Sequence, residues 1–317
     1  MRRRSFLQIL AALPAAATPK PGLRLSQLTA STASLSGIDF PGALRQIREM
    51  GFGGVEILTF TGAKHSVGLI PGAVVSQLGA EEKRRLRAEV ARFEHVSTHL
   101  PFHGLRPVAR DPAVRKTALD LLHTAVDDSG FWGATVATLH VAPEPGMTYE
   151  QLWPDLLSVF RKLGDHAAKY RLRLGIETGA PDTVTQYLAL IRDINHEFVG
   201  GTVDTGHTRG YRKDIAIADE DRATAKGALR YNDVLMQKVK GLGAKLFHFH
   251  VDDVRPADWR EHRTLGTGLV DWGRLLGYLS RTGYRGMFAV ELEETPPIEQ
   301  LAKARAFFAQ TLAQLHS

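Results

Sequence analysis

The sequence predicts a single-domain α/β chain closed into a (β/α)8 barrel. Three observations carry that expectation. Eight apolar, strand-like runs alternate with helical segments along the chain, the pattern of a parallel sheet with crossover helices. Four of the runs end in a residue able to hold a metal: Glu177 in LGIETG, Asp204 in GGTVD, His250 in FHFHVDD and Glu291 in FAVELEE. No linker or shift in composition divides the chain. In a closed parallel barrel the strand ends gather at one mouth, so these four residues are expected to converge there.

The elements follow in order. The first strand is expected at 22–29, and a helix at 40–50 is capped by Asp39 and closed by Gly51. The second strand, 53–60, leads through a loop rich in glycine and proline to a helix at 80–93. Strand three covers 95–102. The helix at 112–129 sets Ala118, Leu121, Leu122 and Ala125 at helical spacing. Strand four, 134–142, precedes a long helix at 149–170. Strand five, 171–177, precedes a helix at 183–194, and strand six covers 198–204. A polar insertion, 209–241, holds one or two helices. Strand seven covers 245–252. The loop 253–268 leads to a helix at 271–284, strand eight at 286–293, and a closing helix at 297–316.

Hydrophobic residues make up 44% of the 317 residues and charged residues 23%, the balance of a globular domain with a sizeable core. The chain has no cysteine, which excludes disulfides, thiolate metal sites and cysteine nucleophiles. Any metal must be held by His, Asp or Glu. The formal charge is +6, but Arg2, Arg3 and Arg4 supply half of it. The remaining basic cluster, Lys83-Arg84-Arg85 with Arg87, reads as the solvated face of a helix. No nucleic-acid partner is expected from so weak a basic footprint.

Residues 1–18 have the architecture of a cleavable secretory signal: a basic start, an apolar run from Phe6 to Leu13, and Ala15-Ala16-Ala17 as a cleavage site. Arg3-Arg4 followed by Ser5-Phe6-Leu7 resembles the twin-arginine export signal. The expected mature chain is then one barrel over 19–317, periplasmic and without a membrane span. Oligomeric assembly is left open.

Side chains alternate across a strand, so residues two apart share a face. Gly175 lies beneath Glu177, Thr202 beneath Asp204, His248 beneath His250 and Ala289 beneath Glu291. Small or polar partners of this kind suit a barrel lumen. A carboxylate at such a depth is costly unless it is paired or bound to metal. For any one of the four, a salt bridge is an equally good account; for all four together a shared divalent cation is the better one. The donor set is oxygen and imidazole, which suits Mn, Co, Mg or Zn. His99 and His140 end strands three and four in the same way, and Glu56 lies on strand two. His248, one layer deeper, is expected to be a core histidine. Asp252 is expected to point away from the lumen, and Asp253 to cap or bridge at the strand end. Gly266-Thr267-Gly268 reads as a tight turn rather than an anion cradle.

The Glu at the end of strand five, D-x-x-H at Asp204–His207, H-x-x-D at His250–Asp253, LGTGLVDW, and VEL on strand eight resemble the xylose isomerase-like TIM barrel superfamily. The group they resemble within it is the sugar phosphate isomerases/epimerases. The resemblance covers the whole expected mature chain. It implies one divalent metal ion on Glu177, Asp204, His250 and Glu291. It also implies that the two glutamates exchange protons with a carbohydrate substrate. His207 and Arg255 would then contact substrate oxygens, as would His99, His140 and His262. A hydroxy-ketone bound to such an ion has an acidified C–H, so proton removal on one face and return on the other gives epimerisation or aldose–ketose isomerisation. With a leaving group at the β position the same chemistry becomes elimination, as on a 3-keto-glycoside.

Two other readings stand beside this one. The same superfamily contains endonuclease IV, a three-zinc phosphodiesterase. His99, His140, Glu177, Asp204, His207, His250, His262 and Glu291 match much of its pattern, but Arg260 stands where an aspartate is expected. The other is a non-catalytic sugar-binding barrel, which has no need of two carboxylate bases facing one ion.

Overall fold

The structure is a computed structural model and describes residues 22–65 and 68–316. The segment read as an export signal lies outside the described residues. Eight parallel strands close into a barrel. They are β1 (Leu28–Ser31), β2 (Gly54–Leu58), β3 (His95–His99), β4 (Val136–Leu139), β5 (Arg173–Glu177), β6 (Val199–Asp204), β7 (Leu246–Val251) and β8 (Phe288–Val290). Each strand pairs with its sequence neighbours, and β1 joins β8 through Leu28–Phe288, Thr29–Ala289 and Ala30–Val290. Among the described residues no helix is long and apolar enough to cross a membrane.

The helices begin where the sequence supplies caps. Asp39 Oδ1 accepts from Gly42 N at 2.8 Å at the start of α1 (Phe40–Glu49). Asp111 caps α2 (Pro112–Trp132), and a Thr148–Gln151 capping box opens α3 (Tyr149–Ala168). The insertion after β6 forms a short helix, Arg212–Ile215, and the long α4 (Ala225–Leu242). Helix faces carrying Leu44, Ile47, Leu122, Leu156, Leu163, Leu235 and Leu276 are buried with the outer faces of the strands in one continuous core.

Every strand is shorter than the sequence predicts, and hydrogen bonding explains the difference at the first and the last. Residues Leu25–Gln27 turn as a 3-10 segment because Gln27 folds back: its Oε1 accepts from Arg24 N, and its Nε2 donates to Gly286 O. After Val290 the chain leaves the ladder. Leu292 N donates to Ser34 Oγ, and Glu293 N donates to His262 O. Glu291 therefore projects from the rim of the barrel rather than from within a strand.

The lumen is polar. Thr138 Oγ1 lies 3.1 Å from Thr202 Oγ1 and 3.3 Å from His250 Nε2. Gly175 leaves the space these groups use, for a Cβ there would collide with Thr202 Oγ1. Gly175→Val is expected to overfill this layer and to destabilise the fold by ~1–3 kcal/mol. A urea midpoint equal to that of the wild type would show the layer to be looser than its geometry indicates.

Candidate metal centre

The site is built around His250, which β7 presents fully buried at the barrel mouth. Its Nδ1 lies 2.6 Å from Glu177 Oε1 and 3.1 Å from Glu291 Oε2. Its Nε2 lies 3.1 Å from Glu56, which β2 sends into the lumen from the far side. Glu56 is itself held by Ser97 Oγ at 3.1 Å and His248 Nε2 at 2.9 Å. A carboxylate on Nε2–H directs the Nδ1 lone pair toward Glu177 and Glu291, the way metal-binding histidines are oriented.

Asp204 completes the group. Its Oδ1 accepts from His207 N at 2.7 Å, while its Oδ2 is buried without a hydrogen-bond partner. One ligand atom from each of Glu177, Asp204, His250 and Glu291 lies within 4.8 Å of the other three. Three carboxylates and one imidazole, largely buried, with an orphaned carboxylate oxygen among them, fit a divalent cation.

The charges respond to this crowding. Burial raises the Glu177 and Glu291 carboxyls, but His250 and neighbouring histidines outweigh it; Glu177 is held well below the usual range and Glu291 falls to about 2. Burial disfavours the His250 cation, yet Glu56, Glu177 and Glu291 together hold its pKa well above the ordinary value. His207 resists burial in the same way and is raised to about 9 by Asp204 and Glu177.

The other predicted histidines ring the mouth. His99, His207 and His262 each place Nδ1 against a backbone carbonyl, those of Leu100, Thr178 and Glu291 at 2.8, 3.1 and 3.3 Å. That fixes each ring, and His99 Nε2 in turn lies 3.3 Å from His140 Nε2 and 3.6 Å from Glu177 Oε2. His140 Nε2 lies 2.6 Å from Glu177 Oε2. Phe102 stacks on His140 at 4.5 Å between centroids, and Phe60 packs edge-on to Phe102, forming an aromatic wall. Arg255 is not brought into this group. Its Nε donates to Asp258 at 2.8 Å, and about half of the side chain is exposed.

Several expectations change in detail. Asp252 does not point away: it shares the His250 face, as its two-residue spacing from His250 requires. Its carboxyl is grouped with Asp204 and His262, and it accepts from His262 N at 2.8 Å. Burial and the Asp204 charge raise its pKa well above the carboxylate range. His248 is a core histidine on one side only; its Nε2 reaches Glu56 while its Nδ1 has no partner. Asp253 does bridge, accepting from Val254, Gly266 and Val270 amides and from Trp272 Nε1, so the LGTGLVDW loop is tied to the strand end. Gly266, at φ +82, spends its amide on that bridge, which makes the segment a turn.

Three residues with no signal in the strand pattern join the site. Glu261 groups with His207 and His262. Arg209 pairs with Glu261. Lys238 of α4 is fully buried, donates to Thr208 Oγ1 at 2.6 Å and lies 4.8 Å from the Tyr211 ring centroid. Burial lowers its pKa to about 7 against the pull of Asp204, Asp214 and Asp252.

A sequence model of the xylose isomerase-like TIM barrel family matches residues 44–311. This chain belongs to that family. An uncharacterised protein of Methanocaldococcus jannaschii is 23% identical over 211 residues, 63% of this chain and 65% of its own length. A D-tagatose 3-epimerase-like protein superposes with a TM-score of 0.68 at 19% identity, covering 91% of this chain and 98% of that one. An L-ribulose 3-epimerase gives 0.67 at 16% identity, with 91% and 95% covered. A xylose isomerase-like TIM barrel protein from Mycobacterium smegmatis, solved in complex with magnesium, gives 0.62 at 18% identity, with 92% and 97% covered. At these identities the shared feature is the fold.

Glu56→Gln weakens the carboxylate that orients His250, so metal affinity is expected to fall ~10–100-fold. Calorimetric titration with Mn checks this, and unchanged affinity would free His250 of any dependence on Glu56. A second expectation concerns pH. The folded chain releases the Lys238 proton near pH 7, whereas an unfolded lysine keeps it to about 10.4. The unfolded state binds more protons in that window, so this group makes stability rise with pH across it. Lys238→Met should remove the rise, as urea denaturation of both proteins from pH 7 to 10 will show; parallel curves refute it.

Proposed function

We propose that this chain is a divalent-metal-dependent sugar isomerase or epimerase that moves a proton at a carbon next to a carbonyl. The observation that carries the reading is the placement of two carboxylates, the buried Glu177 and the partly buried Glu291, against the same His250 nitrogen from the ends of strands three apart around the ring. The epimerases among the proteins of the same fold support it. A divalent ion on Glu177, Asp204, His250 and Glu291 would polarise the substrate carbonyl and favour the enediolate that follows proton loss.

The protein's own groups supply the rest. Glu177 and Glu291 stay ionised despite burial: His250 and its neighbours hold their pKa values down, and a divalent ion bound in their midst would do the same in place of the His250 charge. Each is therefore able to accept a proton at neutral pH. One carboxylate takes the proton from one side of the bound sugar, and the other returns it from the opposite side. His207, cationic at neutral pH, donates to a substrate oxygen. The Phe60–Phe102 wall limits water on the His99 side. The proposal extends to location: residues 1–18 would direct a periplasmic enzyme by the twin-arginine route.

One further observation favours a second reading. Besides the main group, His99–His140–Glu177 and His207–Glu261–His262 each have metal-binding spacing, the layout of a multi-metal phosphodiesterase. The Arg209 guanidinium on Glu261 competes with an ion at the last of these.

Elemental analysis of protein purified without added metal separates the two: about one ion per chain supports the isomerase, and about three support phosphodiester cleavage. With ketoses in deuterium oxide, label is expected at the carbon beside the carbonyl. Glu177→Gln and Glu291→Gln should each cut that exchange by about 100-fold or more. Full exchange in either variant would remove that residue from proton transfer.

A further inference from the structure

A cleft of about 380 Å³ opens outward from the metal-centre residues. Its inner wall is His140, Glu177 and His207; its outer wall is Arg209, Arg212 and Glu261. The volume lies at the small end of the range for small-molecule sites. The two arginines differ in their commitments. Arg209 is taken by Glu261 through both Nε and Nη2. The Arg212 side chain is exposed in the cleft and makes no ion pair or hydrogen bond among the described residues. Its acidic neighbours are engaged elsewhere: Asp214 accepts from Val184 N, and Asp182 pairs with Lys213.

The backbone that carries Arg212 is held from both sides. Tyr211 is buried, its hydroxyl accepts from Gly179 N at 3.1 Å, and the Lys238 ammonium lies over its ring. Arg230 donates to the carbonyls of Asp214 and Ile215, each at 3.1 Å. An unpaired guanidinium on a clamped support, facing the same cleft as Glu177, is arranged to receive an anionic part of the substrate. The outer wall holds two positive charges and one negative, a surplus of one. A single carboxylate matches that surplus; a phosphate dianion exceeds it.

We propose that the substrate is a sugar acid whose carboxylate, at the end remote from the reacting carbonyl, is bound by Arg212. This rests on the isomerase reading. An Arg–carboxylate pair is planar and two-pronged, so Arg212 sets both affinity and the direction in which the sugar enters.

The test compares D-fructose and D-tagatose with D-fructuronate and D-tagaturonate, which carry a carboxylate at the far carbon, and with D-fructose 6-phosphate. The expected kcat/KM is at least ~10-fold higher for the acids than for their neutral counterparts. In Arg212→Gln that preference collapses through KM rather than kcat, because the contact is equal in ground and transition states. Arg212→Lys restores part of it. The neutral ketoses serve as the folding control in each variant. Four results overturn the proposal. Neutral sugars turned over as well as the acids would do so while leaving the isomerase reading intact. A preference for the phosphate would assign the cleft to a dianion. Equal losses on neutral and acidic sugars in Arg212→Gln would make Arg212 structural. No turnover and no deuterium exchange with any sugar would remove the isomerase reading, and the sugar acid with it.

Discussion

The structure depends on one crowded electrostatic contact. His250 stands between Glu56 on its inner side and Glu177 and Glu291 on its outer side. Carboxylates are rarely placed at such depth unless a cation repays their desolvation. A protonated His250 meets part of that charge, and the orphaned Asp204 oxygen marks where the remainder is concentrated. A divalent ion would satisfy all four residues at once, which a single imidazolium does not.

Much of the surrounding architecture serves that contact. Gly175, Thr138 and Thr202 keep the layer beneath it narrow and polar. Backbone carbonyls orient three of the rim histidines. Asp253 ties the loop after β7 back to the strand end and so fixes the approach to His262. Lys238 reaches from the outer helix to the segment after β6 that carries His207, Arg209 and Arg212. The inner residues are thus gathered at the barrel mouth, while this outer segment shapes the cleft that opens from it.

The barrel was legible because strand and helix periods differ and repeat eight times. Glu177, Asp204, His250 and Glu291 were legible because each closes an apolar run. Glu56 closes no run; it lies mid-strand, and only closure of the sheet brings β2 opposite β7. Glu261, Arg209 and Lys238 lie on a loop, a short turn and an outer helix, where no strand alternation points inward. Arg255 matched a loop position by order, but a local Asp258 claims its guanidinium.

The sequence by itself determined the class of fold, the order of the strands, the cap at Asp39 and the four converging strand-end residues, because all of these follow from local periodicity and strand-end chemistry. Tertiary structure decided the partners. Which carboxylate orients His250, which arginine stays unpaired and which lysine is buried depend on residues distant in the chain meeting across the ring. Such meetings follow from three-dimensional closure, which no local pattern encodes.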